Sequence, residues 1–424
     1  MKVLWLCNVI IPQVCSCLGI EQGNSGGWMT QLAEMLDHTD EIELGICAPL
    51  RQERHLTEIS WGHNSLFWGF QNMEWNPCKY DESLEGVFDS IIKKFQPDIV
   101  HIFGTEFPHT LAMVRAFGNP NKTVIHIQGL VSVIAKHYEA YLPDRVVRRK
   151  TFRDAVRQDG IVEQKRKFEE RGKFEVEALK SVNHVMGRTD WDRACCKLIN
   201  PDVTYHYVQE MMREEFYDGK WRYENCEPYS VFMSQGNYPI KGLHLALESI
   251  MLLKEKYPNV KLYVAGTNTV ECVGCQQKLR RTYYSKYLNQ LIKKWKLEEN
   301  IIFLGQLSAE QMKERFLLSN VFISPSSIEN SPNSIGEAML LGTPIVASDV
   351  GGVSSLIEHK KNGFLYQADA TYMLAYYITQ LFDYNEKAMQ LSKTSVQRAR
   401  IIYQPQEITK QLLDVYNDMS NVDG

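Results

Sequence analysis

No run of 18 or more apolar residues occurs in the 424-residue chain, so nothing in it reads as a membrane-spanning helix. A disulfide framework is missing too. Ten cysteines, Cys7, Cys15, Cys17, Cys47, Cys78, Cys195, Cys196, Cys226, Cys272 and Cys275, are scattered without framework spacing, which favours reduced thiols and a cytoplasmic location. Cys272 and Cys275 form a lone CxxC with no second pair or histidine cluster at ligand spacing, so no metal is expected there. The net charge of −4 carries no positive excess, which argues against nucleic acid as a main partner. A GxGxxG fingerprint is absent; GNSGG, residues 23 to 27, does not space its glycines for a nicotinamide dinucleotide. The opening MKVLWLCNVIIPQ does not read as a signal peptide, because its short apolar run is broken by Asn8 and Pro12 and lacks a small-residue cleavage site. It reads as a first buried strand.

What is present is enough apolar sequence, 44%, to bury large cores, and enough length for two domains of roughly 200 residues each. Short β-rich apolar runs recur in the first half at residues 2 to 7, 42 to 47, 98 to 104, 123 to 129 and 184 to 187. In the second half they recur at 229 to 236, 260 to 266, 300 to 305, 320 to 326, 344 to 348 and 363 to 366. Helix-like stretches separate them, and continuous apolar strands alternating with helices indicate parallel sheets covered on both faces. The expected fold class is therefore α/β, with two doubly wound, Rossmann-like parallel-sheet domains. The polar, aromatic stretch REEFYDGKWRYENCEP marks a linker near residues 210 to 228, giving domains at 1 to 215 and 216 to 400. Ligands of such sheets bind beyond the carboxyl ends of the strands, and with two sheets the expected place is a central cleft between them.

The stretch SSIENSPNSIGEAMLLGTPIVAS, residues 326 to 348, carries the strongest local signal. Ser331 is suited to an N-cap and Pro332 to the first helical position, while Gly342, Thr343 and Pro344 end the helix after about ten residues. The first-turn amides of Asn333 and Ser334 then lie at the positive end of the helix, a place suited to phosphate. Glu337 stacks one turn further along the same face, and Glu329 precedes the cap. An anion held by amides, with a carboxylate on either side, describes a ligand with a diphosphate in its middle. Glu337 would hold sugar hydroxyls of the nucleoside, and Glu329 would face the group beyond the distal phosphate.

Glu329, seven residues, Glu337, then AMLLGTPIVASDVGG and NGFLY, closely resembles the retaining nucleotide-sugar glycosyltransferases of family four, which have the GT-B architecture. Further motifs follow the family in order: NSGGWMTQLAEML (24 to 36), PDIVHIFG (97 to 104), SQGNYPIKGLHLALE (234 to 248), VKLYVAG (260 to 266) and NIIFLGQLS (300 to 308). HIFGTEFPHT, IQGLVS and GRTDWDRA resemble transferases that build bacterial surface polysaccharides.

The resemblance implies an acceptor-binding amino-terminal domain, a donor-binding carboxyl-terminal domain and a final helix, 401 to 424, packing back on the first domain. It implies that Lys241, of the Lys-Gly pair, meets the donor diphosphate. The usual arginine of the preceding turn is missing, since only Gly236 and Asn237 stand there. Gly26 and Gly27 would let the backbone approach the distal phosphate. Gly266, Gly305 and Gln306 would lie by the base, and Ile335 with Asn333 and Ser334 by the phosphates. Where the family often has a pocket histidine this chain has Gln128, and His126 two residues earlier reads as core. Glu329, Lys241 and Gln128 are thus the implied catalytic group, with His101, Glu106 and Arg188 on the acceptor side. Asp190 and Asp192 spell Asp-x-Asp but read as a helix start capped by Thr189 or Asp190. Retention without a metal or other cofactor is implied, from a UDP- or GDP-linked donor to a glycan or lipid-linked saccharide.

Residues 145 to 173 hold eleven Lys or Arg against five Asp or Glu, on helical sequence interleaved with Val, Phe and Ile. Such a face suits peripheral contact with an anionic membrane or a polyprenyl diphosphate carrier at its inner face. A solvated helix pair with internal ion pairs is the other reading. Rival functions are a GT-B nucleotide-sugar epimerase, a catalytically idle donor-binding subunit and, weakest, a nicotinamide oxidoreductase.

Overall fold

Along β1 (Lys2–Leu6) the side chains of Val3 and Trp5 enter one hydrophobic cluster and those of Leu4 and Leu6 another. A strand whose alternate residues are all apolar must be covered on both faces. The Val3 and Trp5 side is covered by the helices Gly27–Asp37 and Pro405–Ser420, the other by Ser83–Phe95 and His109–Phe117. Each fully buried Leu, Ile or Val contributes about 1.5–3 kcal/mol to such layers.

The computed structural model describes residues 1–21, 26–50, 57–71, 78–270 and 281–421. Two units result, Met1–Ala135 with Lys167–Arg213 and Tyr403–Gly424, and Lys136–Arg166 with Glu214–Ile402.

In the first unit the described strands β1, β2 (Glu43–Pro49), β3 (Thr57–Trp61), β4 (Ser65–Phe70), β5 (Ile99–Phe103), β6 (Thr123–His126), β7 (His184–Gly187) and β8 (Thr204–Tyr207) form one sheet in the order β3-β4-β2-β1-β5-β6-β7-β8. All pairings are parallel except β3 with β4. β3, β4 and β8 were not among the strands expected from sequence. β3 and β8 are edge strands, half exposed along their length, and lack the continuous apolar signature of the inner ones.

The helix Pro405–Ser420 is tied to this sheet by Tyr416, whose hydroxyl accepts from Trp5 Nε1 at 3.0 Å and lies 2.6 Å from His101 Nδ1. His101 is fully buried in that network, stacked between Phe103 and His126. The acceptor-side role expected of His101 is corrected accordingly: its position in mid-strand turns it into the interior.

In the second unit β9 (Ser230–Met233), β10 (Lys261–Ala265), β11 (Ile301–Gly305), β12 (Val321–Ser324), β13 (Ile345–Ser348) and β14 (Phe364–Tyr366) form a wholly parallel sheet, ordered β11-β10-β9-β12-β13-β14. Residues Lys136–Arg166, which the sequence reading counted with the first domain, group with this unit instead. Long-range hydrogen bonds hold them there: His244 Nε2 to Ala140 O at 2.7 Å, Ser327 Oγ to His137 O at 3.1 Å, Thr151 Oγ1 to Arg281 O at 3.0 Å and Tyr283 N to Asp154 Oδ2 at 2.7 Å. No helix among the described residues is long and apolar enough to cross a membrane.

Candidate functional site

The second sheet reverses direction between β9 and β12: the chain runs from β9 outward to β10 and β11, then returns to β12 and proceeds the other way. Loops leaving two such strands diverge and open a crevice at their carboxyl ends. The loop after β9 carries Gly236, Asn237 and Tyr238, then the single 3-10 turn Pro239–Lys241 and Gly242, which opens the helix Leu243–Lys256. The loop after β12 carries Ser326, Ser327 and Glu329 and leads to the helix Asn333–Leu341.

The two loops are stitched together. Gly242 has φ 73°, and a Cβ on it would collide with the carbonyl oxygen of Pro325, so only glycine serves. Ser327 N donates to Ile240 O at 2.8 Å. Across this junction Lys241 Nζ stands 2.6 Å from Glu329 Oε1, and Ser326 Oγ donates to the same oxygen at 2.8 Å. The side chains of Lys241 and Glu329 are only 20% and 13% exposed. Burial works against the Lys241 ammonium, yet Glu329 and the Tyr238 ring beside it outweigh that and hold its pKa above the usual lysine value. The main chain of Glu329 is gripped from a third side, where Gly352 N donates to Glu329 O at 3.0 Å and Gly351, at φ 53°, leaves no space for a Cβ. Ser326, Tyr238, Gly351 and Gly352 had not been singled out from sequence, although YPIKG and DVGG held the signal.

Pro332 is the N-cap, one residue later than expected, and Asn333 opens the helix. Pro332 O accepts from Ile335 N at 2.9 Å, so its carbonyl starts the ladder while its ring bars an earlier turn. Gly342 closes the helix in the left-handed conformation, as expected. Within it Ile335 is fully buried and Glu337 is 4% exposed. Glu337 is one turn behind Asn333 and Ser334 by helix geometry. Gly266 and Gly305, both at positive φ, join the rim at the carboxyl ends of β10 and β11, where Gly266 N donates to Gly305 O at 2.9 Å and Gln306 Nε2 to Thr267 Oγ1 at 3.2 Å.

In the first unit Gly26, at φ 88°, packs so closely that a Cβ would lie 2.7 Å from Val9 Cγ2, and Gly27 opens its helix beneath Arg213. Gln128 Nε2 donates to Glu210 Oε1, and Arg188 Nη1 donates to the other oxygen of Glu210. Arg188 and Glu210 are 3% and 2% exposed, so the cation expected to reach a ligand is committed to a buried carboxylate. Glu210 was missed because it lies in the irregular stretch VQEMM at the end of the first half. His126 is 2% exposed, and burial, the leading cause, lowers its pKa to about 3. Asp192 closes a capping box with Thr189 and accepts from Tyr205 OH at 2.5 Å, which makes Asp190 and Asp192 a helix start. Among the described residues there is no group of three or more potential metal ligands; Cys272 and Cys275 lie outside the described residues.

Residues 215–398 match the family described as "Glycosyl transferases group 1". An uncharacterized glycosyltransferase of Haemophilus influenzae is 30% identical over 129 residues, 30% of this chain and 32% of that protein. The putative colanic acid biosynthesis glycosyltransferase WcaL of Escherichia coli is 28% identical over 131 residues, 30% of this chain and 29% of that protein. The chain spans less than half the length of these curated relatives. Among solved structures, the sucrose-phosphate synthase of Thermosynechococcus elongatus superposes with a TM-score of 0.71 at 15% identity, covering 99% of each chain. HepE of Anabaena, solved with UDP and glucose, superposes at 0.67 with 16% identity over 99% of this chain and 100% of that one. These likenesses show the α/β fold with two Rossmann-like domains of the GT-B class.

Proposed function

We propose that the protein is a retaining, family-four glycosyltransferase that moves a sugar from a nucleotide-diphosphate sugar to a glycan or lipid-linked saccharide in bacterial surface polysaccharide synthesis. The observation that carries this reading is the Lys241–Glu329 pair at the β9/β12 reversal, with the helix Asn333–Leu341 leaving the same loop. A donor diphosphate takes the first-turn amides and Lys241, whose charge stabilises the negative charge growing on the departing diphosphate. Glu337 receives sugar hydroxyls of the nucleoside, and Glu329, once Lys241 turns to the phosphates, positions the transferred sugar. The missing arginine is offset by Lys241 and these amides, and the reading calls for no metal ion. Support comes from the family match over residues 215–398, from the UDP-bound state of HepE and from the polysaccharide role in the printed name of WcaL.

The first unit takes the acceptor. Peripheral attachment to the inner face of the cytoplasmic membrane runs through the basic segment 145 to 173, where Phe152 is 83% and Val156 67% exposed on one helix, four residues apart. Calorimetry with UDP-glucose and GDP-mannose, followed by NMR of the anomeric configuration of the transfer product, tests the reading. Binding of neither donor, release of an epimerised hexose in place of transfer, or an inverted product would overturn it.

A further inference from the structure

The first sheet has a reversal of its own, between β1 and β5: β2, β4 and β3 extend from β1 on one side, and β6, β7 and β8 from β5 on the other. Two side chains meet above it. Asn8, two residues beyond β1, donates from Nδ2 to Glu106 Oε2 at 2.8 Å, and Glu106 lies three residues beyond β5. Behind Asn8 stands His109, whose Nε2 is 2.7 Å from Asn8 Oδ1. His109 is 2% exposed, and burial lowers its pKa to about 3, so its ring is neutral at physiological pH. A neutral imidazole can bond to an amide oxygen only by donating, so Nε2 carries the proton and the hydrogen bonds run one way: His109 to Asn8, Asn8 to Glu106.

The Glu106 carboxyl group is placed from other directions as well. Arg171 Nη1 donates to the main-chain oxygen of Glu106 at 3.3 Å. The preceding residue is fastened by Thr105 Oγ1, which donates to Glu175 Oε2 at 2.5 Å. Gly104, at φ 92°, passes so close beneath Glu106 Oε2 that any side chain there would displace it. Oε1 lies 3.9 Å from where a Cβ on Gly129 would stand, just past β6. The carboxyl group therefore spans the carboxyl ends of β1, β5 and β6, where doubly wound sheets bind ligands, and Glu106 remains partly accessible to solvent. The partly exposed ring of Phe107 stands beside it, stacked on His109 at a centroid distance of 5.5 Å.

We propose that Glu106, oriented by the chain from His109 through Asn8, is the carboxylate that accepts hydrogen bonds from the hydroxyls of a neutral saccharide acceptor in this crevice. The proposal rests on the glycosyltransferase reading above and deepens it by naming the acceptor's contact. An ionised carboxylate can take two hydroxyls of a sugar diol, whereas a protonated one must give up an acceptor position. Burial, the largest cause, raises the Glu106 pKa to about 7, with the Glu175 carboxylate raising it further and Arg171 and Asn8 opposing. Glu175 and Arg171 come from the helix Ile161–Lys180, His109 from the helix His109–Phe117 and Asn8 from the loop after β1.

Saturation-transfer NMR on the full chain, with methyl glucosides, galactosides and mannosides as probes, tests this at pH 8 and pH 6. Calorimetry with UDP-glucose and GDP-mannose runs in parallel. The wild type should bind at least one hexoside, about tenfold more weakly at pH 6 than at pH 8, as a group of this pKa requires. Glu106→Gln keeps an oxygen for Asn8, so its melting temperature and donor affinity should hold while hexoside binding becomes weak at both pH values. Asn8→Ala removes a donor to the carboxylate and should move the inflection to higher pH, a displacement that bracing of the loop alone would not produce. Hexoside binding by Glu106→Gln equal to that of the wild type, or none by the wild type at pH 8, overturns the proposal. Absence of nucleotide-sugar binding in the wild type is a different failure, that of the glycosyltransferase reading itself.

Discussion

Lys241 and Glu329, 88 residues apart, are each other's counter-ions at 2.6 Å across the β9/β12 reversal. Both side chains are mostly buried, so under the proposed function a donor diphosphate would compete with Glu329 for the ammonium rather than meet a fully solvated lysine.

Lys241→Ala removes the charge that the proposed function sets against the leaving diphosphate. Turnover should fall by about 10²-fold or more, in line with the loss of one electrostatic stabiliser of a transition state. The fold should lose about 1–3 kcal/mol, because Glu329 is left mostly buried without its partner. Steady-state kinetics and denaturant titration check both, and Lys241→Ala with Glu329→Gln should recover stability without recovering rate. Equal proportional losses of rate and stability would contradict this assignment.

Glu337→Ala should weaken donor binding by about tenfold to a hundredfold, the size expected for a hydrogen bond to a charged group. Calorimetry with the preferred nucleotide sugar measures it. Unchanged affinity would leave Glu337 as a helix residue with no ligand.

Gly242→Ala forces a left-handed residue to carry a Cβ into Pro325 O. Strain of about 1–3 kcal/mol or a displaced loop follows, and since that loop leads to Glu329, donor affinity should fall along with the melting temperature. A variant with wild-type melting and binding would show that the junction of the two loops is not required.

Phe152→Asp with Val156→Asp should abolish most binding to vesicles of phosphatidylglycerol and phosphatidylcholine in a sedimentation assay. The melting temperature should not change, since both side chains are already exposed. Retained vesicle binding would leave the basic segment as a solvated helix pair.

His244 donates from Nε2 to Ala140 O at 2.7 Å and lies 3.1 Å from Tyr284 OH through Nδ1, which in the neutral ring accepts from that hydroxyl. Burial, opposed by the bond to Ala140, lowers its pKa to about 4. A histidine so depressed contributes stability that is fully present above its unfolded value near 6.5 and is lost as pH falls toward about 4. Between those values His244→Gln should show a pH slope of unfolding free energy shallower than wild type by about 1.4 kcal/mol per pH unit. Identical slopes would mean that another group governs the acid limb.

Eleven strands, both sheets and the helix ending at Gly342 were legible in the sequence because each has a local cause: a continuous apolar run, a cap or a left-handed glycine. Glu329 and Glu337 stood out because loop and helix start were readable around them, whereas Lys241 entered through the resemblance of its Lys-Gly pair; the structure brings Lys241 and Glu329 together. β3 and β8 were not, because an edge strand needs no two-sided apolar pattern. Arg188 read as an available cation because nothing near it in sequence announces Glu210. His101 entered through the resemblance alone, and nothing near it in sequence announces Tyr416, 315 positions later, which holds it in the interior.

The amino-acid order alone determined that this chain folds into two α/β domains built on parallel strands, and it placed the helix Asn333–Leu341 to within a residue, since those features depend on residues a few positions apart. Which distant groups meet was decided only by the tertiary structure: Lys241 with Glu329, Asn8 with Glu106 98 positions later, and residues 136 to 166 on the second unit. Strand order fixes these encounters. Closing a loop costs nearly the same over 60 residues as over 100, so sequence distance carries almost no information about them.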